Sequence, residues 1–353
     1  MPGPTPAPPS LAAISERVSG RLDGLLTAEH DRWRKLDPSL AEPLDSLRRF
    51  VLGGGKRLRP AFCHWGFVGA GGEPDDPAVV DAGAAFELLQ AFALVHDDVM
   101  DGSAVRRGAR TVHLAYADRH RAEAWRGEVR RFGEGVAILI GDLAHVYADR
   151  LLPRANPDVQ AVWDELRTEL NVGQYLDLVG TASGDVGLET ARRIARFKSG
   201  KYTIERPLHV GAALAGRFTD LVGPLSAYGD PLGEAFQLRD DLLGAFGEEA
   251  LTGKPVGDDL REGKPTPLLA LAVRSATPAQ ADVLAEVGSA DLDAAQIARL
   301  QEVLVATGAL ASVESAIDRL AQQALAALVD APIAPEAADE LASLAAFVAW
   351  REG

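Results

Sequence analysis

Cysteine is almost absent: Cys63 is the single one in 353 residues, so no disulfide can form within the chain. That fits a reducing compartment, and a cytoplasmic location is expected. Positive charge is also short. Lys and Arg number 36 against 51 Asp and Glu, a formal charge of −15. Nucleic-acid binders are usually basic overall, so nucleic acid is excluded as a partner. Strand signals are scarce, with little β-branched or aromatic clustering and no sustained apolar–polar alternation. No apolar run approaches the ~18–20 residues of a membrane span, so no transmembrane segment is expected. The Pro-rich stretch from Met1 to Ser10 lacks the basic start and apolar core of a signal peptide. Residues 1–10 are expected to be a disordered tail, and 11–353 a single domain.

Ala, Leu, Glu and Arg dominate in segments of helical period. The pattern predicts helices near 10–35, 39–52, 57–70, 77–102, 132–152, 158–180, 187–200, 201–216, 219–246, 266–274, 293–306, 308–330 and 335–349. Gly53–Gly55, Gly71–Gly72 and Gly200 read as stops. The charged stretch 118–131 reads as a solvated helix or a connection. The long Gly-, Pro-, Asp- and Lys-rich segment from Gly247 to Pro267 reads as an active-site lid.

Chemistry concentrates at the end of the helix near 77–102. Asp97, Asp98 and Asp101 follow a nearly unbroken apolar segment, Phe86 to His96. Asp97 and Asp101 are four residues apart and share a face. At about 100° per residue, Phe86, Gln90, Ala93, Asp97 and Asp101 fall within roughly 40° of one line. A charged rim above an apolar shaft suits an amphiphile with an anionic head. Carboxylates at a helix C-terminus oppose the macrodipole and call for a cation. Mg2+ takes one or two carboxylates plus substrate phosphates. A second pair, Asp240-Asp241, ends another helical run. The bland alternative for each is a solvated helix end.

Basic residues cluster at Arg48, Arg49, Lys56, Arg57 and Arg59, and again at Arg106, Arg107 and Arg110. Such patches on an acidic chain suit a small anion. The glycines of Gly53–Gly55 let backbone approach a phosphate, with Lys56 and Arg59 as charges. The spacing is not that of a P-loop. Lys198–Lys201 and Thr252–Pro255 could each be an ordinary helix end or loop. His64, His96 and His209 lack zinc-like spacing and read as packing residues.

Taken in order, these stretches resemble the trans-isoprenyl diphosphate synthase, or polyprenyl synthetase, family. The motifs are GGGKRLRP at 53–60, ELLQAFALVHDDVMDGSAVRRG at 87–108, GDL at 141–143, KSGKYT at 198–203, AFQLRDDLLGAFG at 235–247 and TGKPVGDDLREGKPT at 252–266. The nearest pattern is that of actinobacterial short-chain synthases. The resemblance implies an all-α antiparallel helix bundle around a deep central cavity, the isoprenoid synthase type I fold, usually as a homodimer. It implies condensation of isopentenyl diphosphate with dimethylallyl, geranyl or farnesyl diphosphate through an ionised allylic cation.

Carried over residue by residue, Asp97 and Asp101 bind Mg2+, with Asp98 in support. Asp240 holds a further ion with help from Asp241, for three ions in all. Arg106, Lys198 and Lys254 grip the allylic diphosphate. Gly55, Lys56, Arg59, Gln90 and Arg107 bind the isopentenyl diphosphate. Ser199 and Gln237 place oxygen dipoles beside the cation, and Lys264 closes the site. Gly244 departs from the pattern, standing where the family commonly has a third Asp. The isopentenyl-site residues weigh against a terpene cyclase, and the intact acidic motif against a non-catalytic partner subunit. Phe92, Ala93 and Leu89 are the candidate cavity floor. Phe92 five residues and Ala93 four residues before Asp97, with no two-residue insertion inside DDVMD, together resemble the pattern of twenty-carbon synthases, so the resemblance implies a geranylgeranyl product, with fifteen-carbon farnesyl as the alternative.

Overall fold

The helix carrying the first acidic motif begins where Asp76 accepts a hydrogen bond from the Ala78 N–H at 2.8 Å and Pro77 opens the first turn. It ends at Gly102, whose φ of 67° only glycine adopts freely. The computed structural model describes residues 5–184, 187–247, 256–289 and 291–351. In chain order the helices are α1 (Pro9–Arg34), α2 (Ala41–Leu52), α3 (Leu58–Gly69), α4 (Pro77–Asp101), α5 (Val112–Ala122), α6 (Val129–Leu151), α7 (Pro157–Ser183) and α8 (Leu188–Ala195). A π-helical stretch, Arg196–Glu205, comes next, then α9 (Arg206–Leu214), α10 (Phe218–Phe246), α11 (Asp258–Glu262), α12 (Pro267–Ser275), α13 (Pro278–Leu284), α14 (Ala294–Ala306), α15 (Ala309–Val329) and α16 (Pro335–Trp350). A two-stranded hairpin of β1 (Val105–Arg106) and β2 (Ala109–Arg110) is the only sheet among the described residues. The fold is all-α.

α4 lies in the middle, packed along α6 and α3. Its buried face, including Phe86, Leu88 and Leu89, joins α1 to α3, α6, α7 and α9 in one apolar cluster. A second cluster gathers the last half of α10 with α11, α12, α14 and α15. α10 therefore spans both.

Several expectations need correction. α4 is long and apolar enough to cross a membrane by composition, with a mean hydropathy of 1.6 over its best window. Yet 61% of that window is buried inside the protein, as suits a core helix. Helix α1 starts at Pro9, inside the expected tail, because Leu11 and Ile14 bury an apolar stripe. Stretch 118–131 divides between the end of α5 and the start of α6, whose first N–H groups, Arg130 and Arg131, donate to Glu128. α13 was not anticipated; a Thr277–Gln280 capping box starts it. The lid segment holds the short helix α11. Gly200 ends nothing, since the chain runs through it in the π stretch.

Close backbone approach fixes α3 against α9. A methyl group on Gly211 would lie 2.2 Å from the Cys63 carbonyl oxygen, and one on Gly66 2.5 Å from that of Leu208. Gly211→Ala should therefore push the two helices apart and cost about 1–3 kcal/mol. Thermal denaturation should show a melting temperature lowered by several degrees, and an unchanged value would contradict this crossing.

Candidate active site

Asp97 and Asp98 end α4 in near-complete burial, at 9% and 1% exposure. A buried carboxylate is stable only if paired. Asp97 is paired three ways. Lys198 Nζ donates to its Oδ1 at 2.9 Å, Gln174 Nε2 to the same oxygen at 3.1 Å, and Arg106 Nη2 to its Oδ2 at 3.2 Å. Arg106 also donates from Nε to Asp98 Oδ1 at 2.8 Å. Burial alone would raise the Asp97 carboxyl, but Lys198, Lys264 and Arg106 outweigh it and hold it well below the usual range. Burial and then the Asp97 charge push Asp101 up to about 6.

The hairpin aims the two arginines apart. Its turn residues, Arg107 and Gly108, have φ of 52° and 71°. Two left-handed residues make the tight turn that matches strand twist. Arg106 thus faces the α4 carboxylates. Arg107 reaches the other way, its Nη2 3.2 Å from where a Cβ on Gly55 would sit. Gly55 is therefore the floor on which Arg107 lies.

The π stretch supplies Lys198 and Ser199. Pro207 has no N–H to give the Thr203 carbonyl, so an ordinary α bond is missing there. Glycines of both neighbours permit the wide turn. A methyl on Gly173 of α7 would lie 2.4 Å from the Lys198 nitrogen, and one on Gly233 of α10 2.7 Å from the Gly200 oxygen. Lys198 also donates to Asp177 Oδ2 at 2.5 Å. Farther along, Thr203 Oγ1 accepts from Arg59 Nη2 at 2.7 Å, and the Arg59 guanidinium lies 4.2 Å from the Tyr202 ring centre.

Asp240 and Asp241 face these groups from α10. Arg351 donates to Asp240 and stands 4.6 Å over the Phe236 ring. Gln237 Nε2 donates to Asp241 Oδ1 at 2.7 Å, which leaves the amide oxygen as its other polar end. Burial pushes the Asp241 carboxyl well up. Lys264 Nζ lies 2.6 Å from Glu262 and 3.4 Å from Asp101. Between the two acidic motifs is a cleft of about 670 Å³, lined by Gly55, Lys56, Arg59, Gln90, Asp97, Arg106, Arg107, Asp177, Lys198, Ser199, Gln237, Asp240, Asp241, Lys264 and Arg351 among others. Lys56 is an exposed residue on the cleft lining, and its ammonium is partly withdrawn from water. Lost solvation and the Arg351 charge bring it down to about 8.

The donor set fits a hard divalent cation. Asp241 Oδ2 is buried without a hydrogen-bond partner, and Asp101 Oδ2 makes no hydrogen bond, though the Lys264 ammonium lies 3.4 Å away. No three His, Cys, Asp or Glu side chains close on one point among the described residues. A cation here would thus share ligands with a bound phosphate, as Mg2+ does.

The cleft thus gathers residues from five separate motifs. Of the expected basic clusters, Arg57 is committed to Glu87 and the Val51 carbonyl, Arg48 to Asp23 and Arg110 to Asp118. Phe92, Ala93 and Leu89 stand outside the lining; Phe92 stacks on His145 of α6 at 4.8 Å and meets His96 edge-on. Lys254 lies outside the described residues. Sequence reasoning missed Gln174, Asp177 and Arg351. The first two are an i, i+3 pair on one face of α7, a signal too common to single out. Arg351 carries no motif at all.

Comparison with known proteins bears on this geometry. The polyprenyl synthetase profile matches residues 40–304. A geranylgeranyl diphosphate synthase of Mycobacterium tuberculosis is 31% identical over 332 residues, 89% of this chain and 88% of that protein. A geranylfarnesyl diphosphate synthase of Aeropyrum pernix is 32% identical over 75% of this chain and 80% of its own length. The crystal structure of a Corynebacterium glutamicum geranylgeranyl pyrophosphate synthase, complexed with isoprenyl diphosphate and magnesium, superposes with a TM-score of 0.91 at 40% identity, covering 96% of this chain and 98% of that one.

Asp98 and Arg106 form a buried pair, and deleting Asp98 takes the shorter of the Arg106 contacts and leaves the longer one, to Asp97. Asp98→Ala should destabilise the fold by roughly 3 kcal/mol or more. Urea unfolding checks this; a loss below about 1 kcal/mol, the range of an exposed pair, would mean that Arg106 is held by Asp97 alone.

Proposed function

The chain belongs to the polyprenyl synthetase family and is a trans-prenyl diphosphate synthase, and from that premise we propose that its main product is geranylgeranyl diphosphate. The observation that carries the reading is the cleft itself, with two acidic helix ends facing two separate sets of basic side chains. One set, Arg106, Lys198 and Lys264, already sits on the α4 carboxylates. It grips the allylic diphosphate, whose negative charge grows as its carbon–oxygen bond breaks. The other set, Lys56, Arg59 and Arg107 with Gly55 and Gln90, holds the isopentenyl diphosphate. The two anions are thereby kept apart while their carbon ends meet.

Mg2+, when bound, supplies Lewis-acid charge to the leaving diphosphate; Asp97, Asp101 and Asp240, with Asp98 and Asp241 beside them, would hold three ions. Asp98 contributes mainly by fixing Arg106. Ser199 and Gln237 line the cleft, and their oxygens would stabilise the allylic cation. The apolar walls, including Ile194 and Phe236, exclude water that would quench it. The protein acts as a homodimer. Support comes from outward apolar residues on two helices: Ile138, Leu139 and Val146 on α6, and Val172, Tyr175 and Val179 on α7.

The product length rests on Phe92. On an ideal helix it lies about 140° from Asp97, just outside the cleft lining, where it backs the wall below the carboxylates. Its ring is braced by His145 and His96, which makes it a firm wall. Incubation with labelled isopentenyl diphosphate and each allylic primer should give twenty-carbon products with Mg2+ and none with excess EDTA. Phe92→Ala should shift products beyond twenty carbons, and Ala93→Phe toward fifteen. A wild type that stops at fifteen carbons would reject the product assignment, and an unchanged distribution in Phe92→Ala would place the floor elsewhere.

The two anion sites should separate kinetically. Arg59→Ala should mainly raise the KM for isopentenyl diphosphate, because that substrate is bound and not ionised. Lys198→Ala should lower kcat by roughly 100-fold or more, as losing an oxyanion donor does. Steady-state kinetics with both substrates varied checks the division; equal effects of both variants on both KM values would reject it.

A further inference from the structure

We propose that Glu87 and Arg57 are positioning residues of the isopentenyl diphosphate site: their buried ion pair docks the 53–59 loop on α4 and so sets where Lys56 and Arg59 meet the substrate. This rests on the functional reading above. Arg57 is 5% exposed and Glu87 6%. The Arg57 guanidinium turns inward, donating from Nη1 to Glu87 and from Nη2 to the Val51 carbonyl at 2.7 Å. Val51 stands in the last turn of α2, where carbonyls lack partners within the helix. Glu87 belongs to α4, and Arg57 is the residue that precedes α3. One guanidinium therefore ties the end of one helix and the side of a second to the start of a third.

The place of that tie decides what the cleft receives. Glu87 comes three residues before Gln90 in α4, so it lies one turn away on the same face. Gln90 lines the cleft, as do Lys56 and Arg59 on either side of Arg57. Docking the loop on Glu87 thus delivers both basic residues to the stretch of α4 that carries the Gln90 amide. The Glu87 charge reaches farther still. Burial lowers the Arg107 guanidinium, and the Glu87 carboxylate opposes that.

The backbone records the pull of the pair. Arg57 has φ of 51° and ψ of 35°, a left-handed conformation that its Cβ disfavours. Gly54 and Gly55 before it, with φ of 102° and 130°, carry the chain into this turn. The Arg57 carbonyl then accepts from the Ala61 N–H at 3.2 Å and opens α3. Strain of this kind persists only where the surroundings over-determine it, and it gathers at ligand clamps. A glycine would take the same turn at no steric cost, so the arginine is there for what its side chain holds.

Steady-state kinetics with both substrates varied separates positioning from mere support of the fold. Glu87→Gln keeps the shape and removes the charge, and Arg57→Lys keeps the charge but loses the two-pronged hold. Each should raise the KM for isopentenyl diphosphate roughly 10- to 100-fold, the loss expected when a substrate-positioning group shifts by about an ångström. The KM for the allylic diphosphate should stay within about twofold of wild type, because its site is built from other stretches. Should a lone buried charge keep these variants from folding, Arg57→Met combined with Glu87→Leu fills the space with apolar groups, an exchange that buried pairs often tolerate. Its KM for isopentenyl diphosphate should still rise, since the loop is no longer tied to α4. The inference is overturned if Glu87→Gln, or the double variant in its stead, stays within about twofold of wild type in that KM, or if both KM values rise together. A wild type that does not consume isopentenyl diphosphate would overturn the functional reading itself, and this inference with it.

Discussion

Everything at this site depends on keeping the Asp97 carboxylate ionised inside an apolar shell. Its partners come from three other stretches: Arg106 from the hairpin, Gln174 from α7 and Lys198 from the π stretch. None is near Asp97 on its own helix. The charge can be buried only if all of these stretches arrive together, so folding of the bundle and assembly of the site are one event. Asp177 extends the same logic by taking the other side of Lys198.

In the proposed reaction this arrangement has a further use. Lys198, Lys264 and Arg106 rest on carboxylates when no anion is present. A diphosphate and its metal ions would exchange partners with them, the metals going to the carboxylates and the basic groups to the phosphate oxygens. Few charges need to be newly desolvated, because they are already out of bulk water. Electrostatic preorganisation of this kind lowers the cost of charge moving during ionisation.

Much of this was legible in the sequence, and the limits have physical causes. Long helices were readable because their periodicity and caps are local. The acidic pairs and Gly-Gly-Lys-Arg stretch were readable because charge at an apolar helix end is costly without a purpose. The π stretch was not, since Gly200 marks a stop as often as a close approach. Here it is the second, against Gly233. Arg351 and Asp259 reach the site only through tertiary folding, and α11 is too short to show a period. Arg57 misled by composition: within a basic cluster, it is the one buried against Glu87. Phe92 proved less simple than a wheel suggests, because its ring is set by His145 on another helix.

The π stretch carries an evolutionary consequence. Wide turns change the angular phase between the helical segments on their two sides, so Lys198 and Thr203 face their partners only while the residue count between them holds. Removing or adding one residue would rotate one flank by about 100° against the other. Lys198 would turn from Asp97, or Thr203 from Arg59. Gly173 and Gly233 would also lose the backbone they are shaped to meet. Length variation is therefore closed to this stretch over evolutionary time, and descendants of the chain can alter it only by exchanging one side chain for another.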